Sequence, residues 1–541
     1  MNQKAYVVFL NGSVVTVDQT DRVCQAVAVK GNRILKVGAS DQVEMLVGDA
    51  TTVIDLAGRS LLPGFVDAHC HPGVYGASQL QVRCGPENVK SIQDIQREIR
   101  KRAAVVPPGE WIIGRGYIDT ELEEKRHPTR RDLDAAAPEH KVFINRTCGH
   151  IAVVNSRVLE AFDICSGTPD PEGGKIDRDD RGDPTGVLYE QAQARIKVQI
   201  YPSYTDLKAG LAITNRDFLR FGITSATEAS GQSADEARLY QEGADEGWFK
   251  VRMYLLVRHN PPHVQLGNAF LKTGMITGFG NERVRLGAWK TILDGAGGGA
   301  SAAMREPYLK DLQNYGILYF SQKELDEMVI TAHLAGYQVA VHAIGDRAVE
   351  MTLNSYEKAL KTFPRKNHRH RIEHAGFLDE TALDRIQQLG IVPILGLPFL
   401  YELGDNYLEV FDNDPRLDTA YPLGSLLRRK IPAALSSDTP VIGPNPMHGI
   451  YFAVAHRSKS GQSIAADEAV DLMQAIRAYT ANGAYASFEE HLKGSIEAGK
   501  LADLIVLSEN ILETAPEDLL GIKVDMTMVD GDMVYEKRQE S

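Results

Sequence analysis

What the chain lacks narrows its chemistry first. Its five cysteines, Cys24, Cys70, Cys84, Cys148 and Cys165, are odd in number and irregularly spaced, with no Cys-x-x-Cys pair. Neither a disulfide framework nor a thiolate zinc site is expected, and reduced thiols in a cytoplasmic protein fit best. No apolar run approaches the roughly 20 residues of a membrane span. The run from Ala5 to Leu10 is too short for a signal sequence and reads as a strand. Positive charge is not in surplus: 59 basic against 72 acidic residues leave a formal net charge of -13. That balance argues against nucleic acid or an anionic membrane as a partner. Internal repeats and low-complexity tracts are also missing. What remains is a 541-residue chain of ordinary apolar content, enough for one large barrel plus appendages.

Both ends have the texture of short strands and turns. Tyr6 to Leu10 meets Asn11-Gly12 before Val14 to Val17, and Ala26 to Val29 meets Gly31-Asn32 before Ile34 to Val37. Near the other end, Leu501 to Leu507 is a strand pattern, and Asp530-Gly531 sits between Met526–Val529 and Met533–Tyr535 as a hairpin turn. The two ends, residues 1–60 and 486–541, are expected to build one composite β-sandwich. Between them, residues 61–485 alternate strand-like and helix-like segments, the pattern of an α/β fold. Candidate strands begin at Phe65 to Cys70 and continue at Gly222 to Thr227, Lys250 to Val257 and Val284 to Ile292. They end with Gln338 to Ala343, Arg371 to Ala375, Ile391 to Leu395 and Ala433 to Ser437. Helical stretches such as Gln322 to Leu334 and Glu380 to Leu389 lie between them. Eight strands close a (β/α)8, TIM-like barrel. Residues 75–210 exceed this count and form a large insertion after the first barrel strand; a loop that long near the C-terminal face of a barrel tends to be functional.

Active sites of such barrels lie at the C-terminal strand ends, so the metal-capable residues there matter most. In Phe65-Val66-Asp67-Ala68-His69-Cys70-His71, side chains alternate faces, and His69 and His71 point the same way. Cys70 faces the other way and reads as a small buried filler. The fourth strand supplies Lys290, the fifth His342, the sixth His374 and the eighth Asp438. Four imidazoles and a carboxylate suit Zn2+ or a similar divalent ion, one or two in number. An ammonium at position 290 would be repelled by such an ion. Lys290 is therefore either a carbamate formed with carbon dioxide, anionic and able to bridge two metals, or a plain lysine paired with a carboxylate such as Asp294. Asp438 is either the proton-transferring group or the N-cap of a helix before Thr439-Pro440.

These residues are embedded in longer motifs. The chain opens its barrel with Pro63-Gly64-Phe65-Val66-Asp67-Ala68-His69-Cys70-His71 and closes with Gly494-Ser495-Ile496-Glu497-Ala498-Gly499-Lys500-Leu501-Ala502-Asp503-Leu504. Between them come Gly149-His150-Ile151-Ala152-Val153-Val154-Asn155-Ser156, Gly173-Gly174-Lys175-Ile176, Arg305-Glu306-Pro307-Tyr308, His342-Ala343-Ile344-Gly345-Asp346 and Glu373-His374-Ala375. Together they resemble the amidohydrolase superfamily, and within it the YtcJ-like branch (amidohydrolase family 3), over nearly the whole chain. The resemblance implies a composite β-sandwich, a metal-bearing barrel and hydrolysis of a C–N bond. It also implies a metal set of His69, His71, Lys290, His342, His374 and Asp438. Branch members include enzymes similar to N-substituted formamide deformylases, so a small amide, N-formyl or N-acyl, is the expected substrate. A cyclic-amide or imide hydrolase, or a deaminase, is the alternative on the same scaffold; a catalytically dead binding or assembly homologue is a third.

In the mechanism expected, metal-activated hydroxide attacks a polarised carbonyl while Asp438 carries the proton to the leaving nitrogen. Arg146 and His150, in the insertion, are candidate substrate contacts: Arg146 for a carboxylate or carbonyl, His150 for the developing oxyanion. The alternative for both is an ion pair or hydrogen bond inside the insertion. Two stretches depart from the branch: Cys148 stands before Gly149-His150, and Ala296-Gly297-Gly298-Gly299 is unusually glycine-rich. Both lie where substrate would sit. The other histidines read as surface or structural, with His368 and His370 set apart by their nearness to His374. The expected partner is a small molecule, with homo-oligomerisation left open.

Overall fold

The computed structural model describes residues 4–147, 149, 151–171, 174–200, 202–231, 233–260, 264–412 and 414–537. The chain folds as two compact units, residues 1–72 with 214–541, and residues 73–213.

The first unit holds an eight-stranded parallel sheet: β1 (Phe65–Cys70), β2 (Ile223–Gly231), β3 (Arg252–Arg258), β4 (Val284–Ile292), β5 (Val339–Ala343), β6 (Arg371–His374), β7 (Val392–Leu395) and β8 (Ala434–Leu435). Neighbours in space are neighbours in sequence, from β8 back to β1. Strands in such a barrel are covered on both faces, so they read as continuous apolar runs; every residue of β1 and of β7 is buried. Backbone bonds just past the strand ends draw the last strand to the first. The Asp438 N–H donates to the His69 carbonyl and the His71 N–H to the Thr439 carbonyl, each at 2.8 Å. The side chain of Asp67 reinforces this seam, accepting from the Ser437 N–H at 3.1 Å and the Ser437 hydroxyl at 2.5 Å.

Residues from both ends of the chain form two further sheets in the same unit. One is four-stranded and comes from the N-terminal region, and the other joins Leu504–Leu507, Val524–Val529 and Asp532–Glu536 to Ser60–Pro63, Ser13–Val15 and Val23–Cys24. Phe9, Val27 and Val29 of the first sheet pack with Leu61, Leu504 and Met528 of the second in one buried cluster. An ion pair ties the barrel to these sheets: Arg252, at the start of β3, donates to both Asp503 oxygens, at 2.6 and 2.9 Å. Arg252 and Asp503 are both buried.

The helices Gln322–Leu334 and Glu380–Leu389 occupy the ranges expected from sequence. Ser321 starts the first with a capping box to Glu324, and Asp379 caps the second. No described helix is long and apolar enough to cross a membrane.

The second unit has its own six-stranded sheet, ordered Gly174–Arg178, Pro184–Glu190, Ile151–Val154, Lys141–Arg146, Trp111–Tyr117 and Val82–Arg83. Alternation along Lys141–Arg146 puts Val142 and Ile144 into one apolar cluster and Phe143 into another.

Candidate metal centre

Among the described residues, one group of three metal-capable side chains converges. A ligand atom from each of His69, His374 and Asp438 lies within 4.8 Å of the others. His71 and His342 extend the group. Ring centroids are 5.6 Å apart for His69–His71, 4.6 Å for His69–His374 and 4.5 Å for His342–His374. His69 on β1 and His71, the residue just past its end, together the β1 histidines, address one oxygen of Asp438: Oδ1 is 3.4 Å from His69 Nε2 and 3.1 Å from His71 Nε2. The Asp438 carboxylate thus faces the imidazoles and caps none of the described helices.

The backbone is bent to achieve this. His374 has φ +71° and Asp438 φ +53°, left-handed values for residues with a Cβ. Such conformations cost on the order of 1–3 kcal/mol each and persist where the surroundings over-determine them. Here the barrel seam holds Asp438 through its own N–H.

Each β1 histidine is held from behind by a carboxylate that the sequence reading passed over. Glu373 Oε2 hydrogen-bonds His69 Nδ1. Arg371 in turn donates to Glu373 at 2.6 and 2.9 Å, and all three side chains are buried. Glu228 Oε1 lies 3.2 Å from His71 Nδ1. With Nδ1 engaged, Nε2 of each ring is the nitrogen turned to the site. Glu373 was detectable as an acid two residues from Arg371 on a strand, hence on the same face. Glu228 lay one residue beyond the range read as strand; β2 runs on to Gly231.

Lys290 is buried at the β4 end. No hydrogen bond or ion pair engages its Nζ among the described residues. Asp294 is committed elsewhere, accepting the N–H groups of Ala303, Ile344 and Gly345 at 2.8–3.0 Å. The His342 Nε2–H donates to the Gly295 carbonyl at 3.1 Å, which leaves Nδ1 as its lone-pair nitrogen. His374 Nδ1 is buried without a hydrogen-bond partner.

Electrostatics favour a cation in this setting. Burial pulls His342 down to about 3 and holds His374 well below the usual histidine range, so both imidazoles are neutral. Burial alone would also depress His71, but its bonds to Asp438 and Glu228 raise it to about 9. Burial works against the ionised form of Asp438, yet the bonds from His69 and His71 keep it well below the ordinary carboxylate range. Burial draws Lys290 down to about 8, against the attraction of Glu373 and Asp438. The neutral imidazoles of His342 and His374, the Asp438 carboxylate and the orphaned buried Nδ1 of His374 fit a borderline divalent ion.

The remaining candidates belong to other parts of the chain's sequence. In the second unit, Arg146 Nε donates to Asp119 at 2.7 Å, the internal pairing allowed for in the sequence. His150 and Cys148 lie outside the described residues. His368 and His370, set apart in the sequence by their nearness to His374, are buried and structural. They precede β6, at the opposite end of the barrel, where the His370 carbonyl accepts the Val392 N–H and His370 Nδ1 accepts the Val339 N–H.

Residues 52–535 match the Amidohydrolase family. The chain belongs to that family. The amidohydrolase match extends to whole relatives. The putative amidohydrolase YtcJ of Bacillus subtilis (strain 168) is 32% identical over 525 residues, 95% of this chain and 96% of that protein. The N-substituted formamide deformylase of Arthrobacter pascens is 30% identical over 552 residues, 99% of each chain. A solved structure, an uncharacterized metal-dependent hydrolase from Pyrococcus horikoshii OT3, superposes with a TM-score of 0.78 at 23% identity, covering 94% of this chain and 99% of that one; that likeness shows the fold. As an amidohydrolase the chain is a metal-dependent hydrolase of C–N bonds.

Proposed function

We propose that the protein hydrolyses the amide-type C–N bond of a small N-formyl or N-acyl compound in the cytoplasm, at a zinc centre held by the strand-end residues. The observation that carries this is the convergence of His69, His374 and Asp438. The similarity to a protein named as an N-substituted formamide deformylase supports the substrate class.

His69 and His71 would hold the ion through Nε2, with His342 and His374 completing the imidazole set. When bound, a divalent ion supplies a Lewis acid for the carbonyl and lowers the pKa of water towards about 7. Asp438 serves as proton carrier. Its Oδ1 is engaged by the two imidazoles, and among the described residues no hydrogen bond reaches Oδ2, which can take a proton from water and return it to the leaving nitrogen. Lys290 is the residue for a carbamate. A lysine brought to about 8 is roughly one-tenth neutral amine at pH 7; the amine adds to carbon dioxide, an N–C bond forms and a proton leaves.

A panel of N-formyl, N-acyl and cyclic amides, followed for formate, carboxylate, ammonia and ring opening, tests the reaction class. Release of formate or carboxylate with the amine, lost on chelation and in His342→Ala, is expected. Stoichiometric metal absent from the purified protein, with His342→Ala as active as the parent, would sink it.

A further inference from the structure

The two β1 histidines are supported unequally. Behind His69, Glu373 is paired with Arg371, so the charge of that carboxylate is already balanced. Behind His71 the arrangement differs. Glu228 is 1% exposed, yet no lysine or arginine pairs with it among the described residues; the ring facing it is that of His71. Its other contacts are neutral donors. The Ser230 N–H reaches Oε1 at 3.2 Å, and the Tyr240 hydroxyl reaches Oε2 at 3.1 Å. Tyr240 lies on α1 (Ala234–Asp245), and its hydroxyl also stands 3.2 Å from Glu236 Oε1. Ser230 Oγ, 3.2 Å from His71 Nδ1, completes the cradle.

A buried carboxylate without a balancing cation is strongly disfavoured. Glu228 meets that condition unless positive charge sits on or beyond His71. We propose that Glu228 is a positioning residue for the metal centre, and that Tyr240 keys it in place. By accepting the Nδ1 proton of His71, Glu228 fixes the tautomer that turns Nε2 towards Asp438, and that hydrogen bond makes Nε2 a stronger donor. Tyr240 occupies Oε2 so that Oε1 stays on the ring. In this design the second β1 histidine carries the adjustable share of metal affinity, while His69 is locked by a closed ion pair.

The inference rests on the metal-binding reading, and one experiment separates the two. Metal-stripped wild type, Glu228→Gln and Tyr240→Phe are titrated with Zn2+ against a chromophoric chelator, and the Co2+ forms are compared by visible absorption. Thermal midpoints are recorded for the metal-free proteins. Glu228→Gln is expected to lose about 10–100-fold in affinity and to shift the Co2+ bands. Tyr240→Phe is expected to move the same way by a smaller factor, and it carries the test if Glu228→Gln does not fold. A purely structural role would instead lower the metal-free midpoint while leaving the affinity of the folded protein unchanged. Tight zinc binding by wild type with unaltered affinity in the folded variants would overturn this inference alone. Failure of the wild type to bind zinc would remove the metal-binding reading as well.

Discussion

Glu373 accepts the Nδ1–H of His69, and neither side chain reaches solvent. The pair spans the barrel from β6 to β1 and is continued by Arg371, which also donates to the Ala68 carbonyl at 2.7 Å. One buried chain of hydrogen bonds thus serves both the fold and the orientation of a metal-capable ring. Glu373→Ala would leave Arg371 buried without its counter-ion, and removing one partner of a buried pair costs about 3–5 kcal/mol. Urea unfolding should show that loss, together with weakened metal retention. A variant as stable as the parent would contradict this account of the pair.

Asp438, the proposed proton carrier, touches both His69 and His71. Asp438→Asn keeps the shape but removes the base, so kcat/KM should fall by about 100- to 10,000-fold. Circular dichroism should show an intact fold. Activity within tenfold of wild type would assign the proton transfer elsewhere.

The proposed carbamate relies on the fraction of Lys290 left as free amine by its lowered pKa. Lys290→Ala should abolish turnover, and a short carboxylate such as acetate or propionate, supplying two oxygens in the emptied space, should restore part of it. Native mass spectrometry of the parent should show the added mass of carbon dioxide. No adduct and no rescue would mark Lys290 as an unmodified lysine.

Acid stability should depend on a histidine cluster far from the metal centre. His333 Nε2–H donates to the Phe363 carbonyl at 2.8 Å, and the ring's Nδ1 lies 2.9 Å from His370 Nε2. His370 Nδ1 already accepts the Val339 N–H, so its Nε2 carries the proton. His368 donates to the Leu389 carbonyl at 2.8 Å and accepts the His370 N–H at 3.0 Å. Every ring nitrogen is assigned, and an added proton breaks a bond. Burial lowers all three, His368 to about 4 and His370 further, with Arg365 nearby opposing positive charge. The folded-state values lie below the unfolded value of about 6.5, so the unfolded chain binds more protons as pH drops. Stability is full above about pH 6.5 and falls as pH is lowered towards 4, by up to about 1.4 kcal/mol per pH unit for each titrating group. Urea midpoints between pH 7.5 and 5 should show it, with a shallower slope in His368→Gln. Equal slopes would locate the acid sensitivity elsewhere.

Much of the barrel was readable because its rules are local. Period-two alternation puts His69 and His71 on one face, and long buried strands announce themselves as apolar runs. Ser321 and Asp379 mark their helix starts by side-chain chemistry within three residues. The supporting acids were not readable in the same way. Glu228 and Glu373 act on histidines 157 and 304 residues away in sequence, and nothing local distinguishes such an acid from an ordinary strand residue. Nearness in sequence to His374 decides nothing for His368 and His370, because a strand of four residues, Arg371–His374, separates them from the site end of the barrel.

The sequence by itself determined the strand and helix periods, the family motifs and the residue types suited to a divalent ion, because these depend on spacing along one chain. The tertiary structure decided which nitrogens face the centre, which carboxylates hold them and that Asp438 closes on β1. Those outcomes depend on the barrel seam, where the last strand meets the first and brings Asp438 within 3.1 Å of a histidine from the opposite end of the barrel sequence.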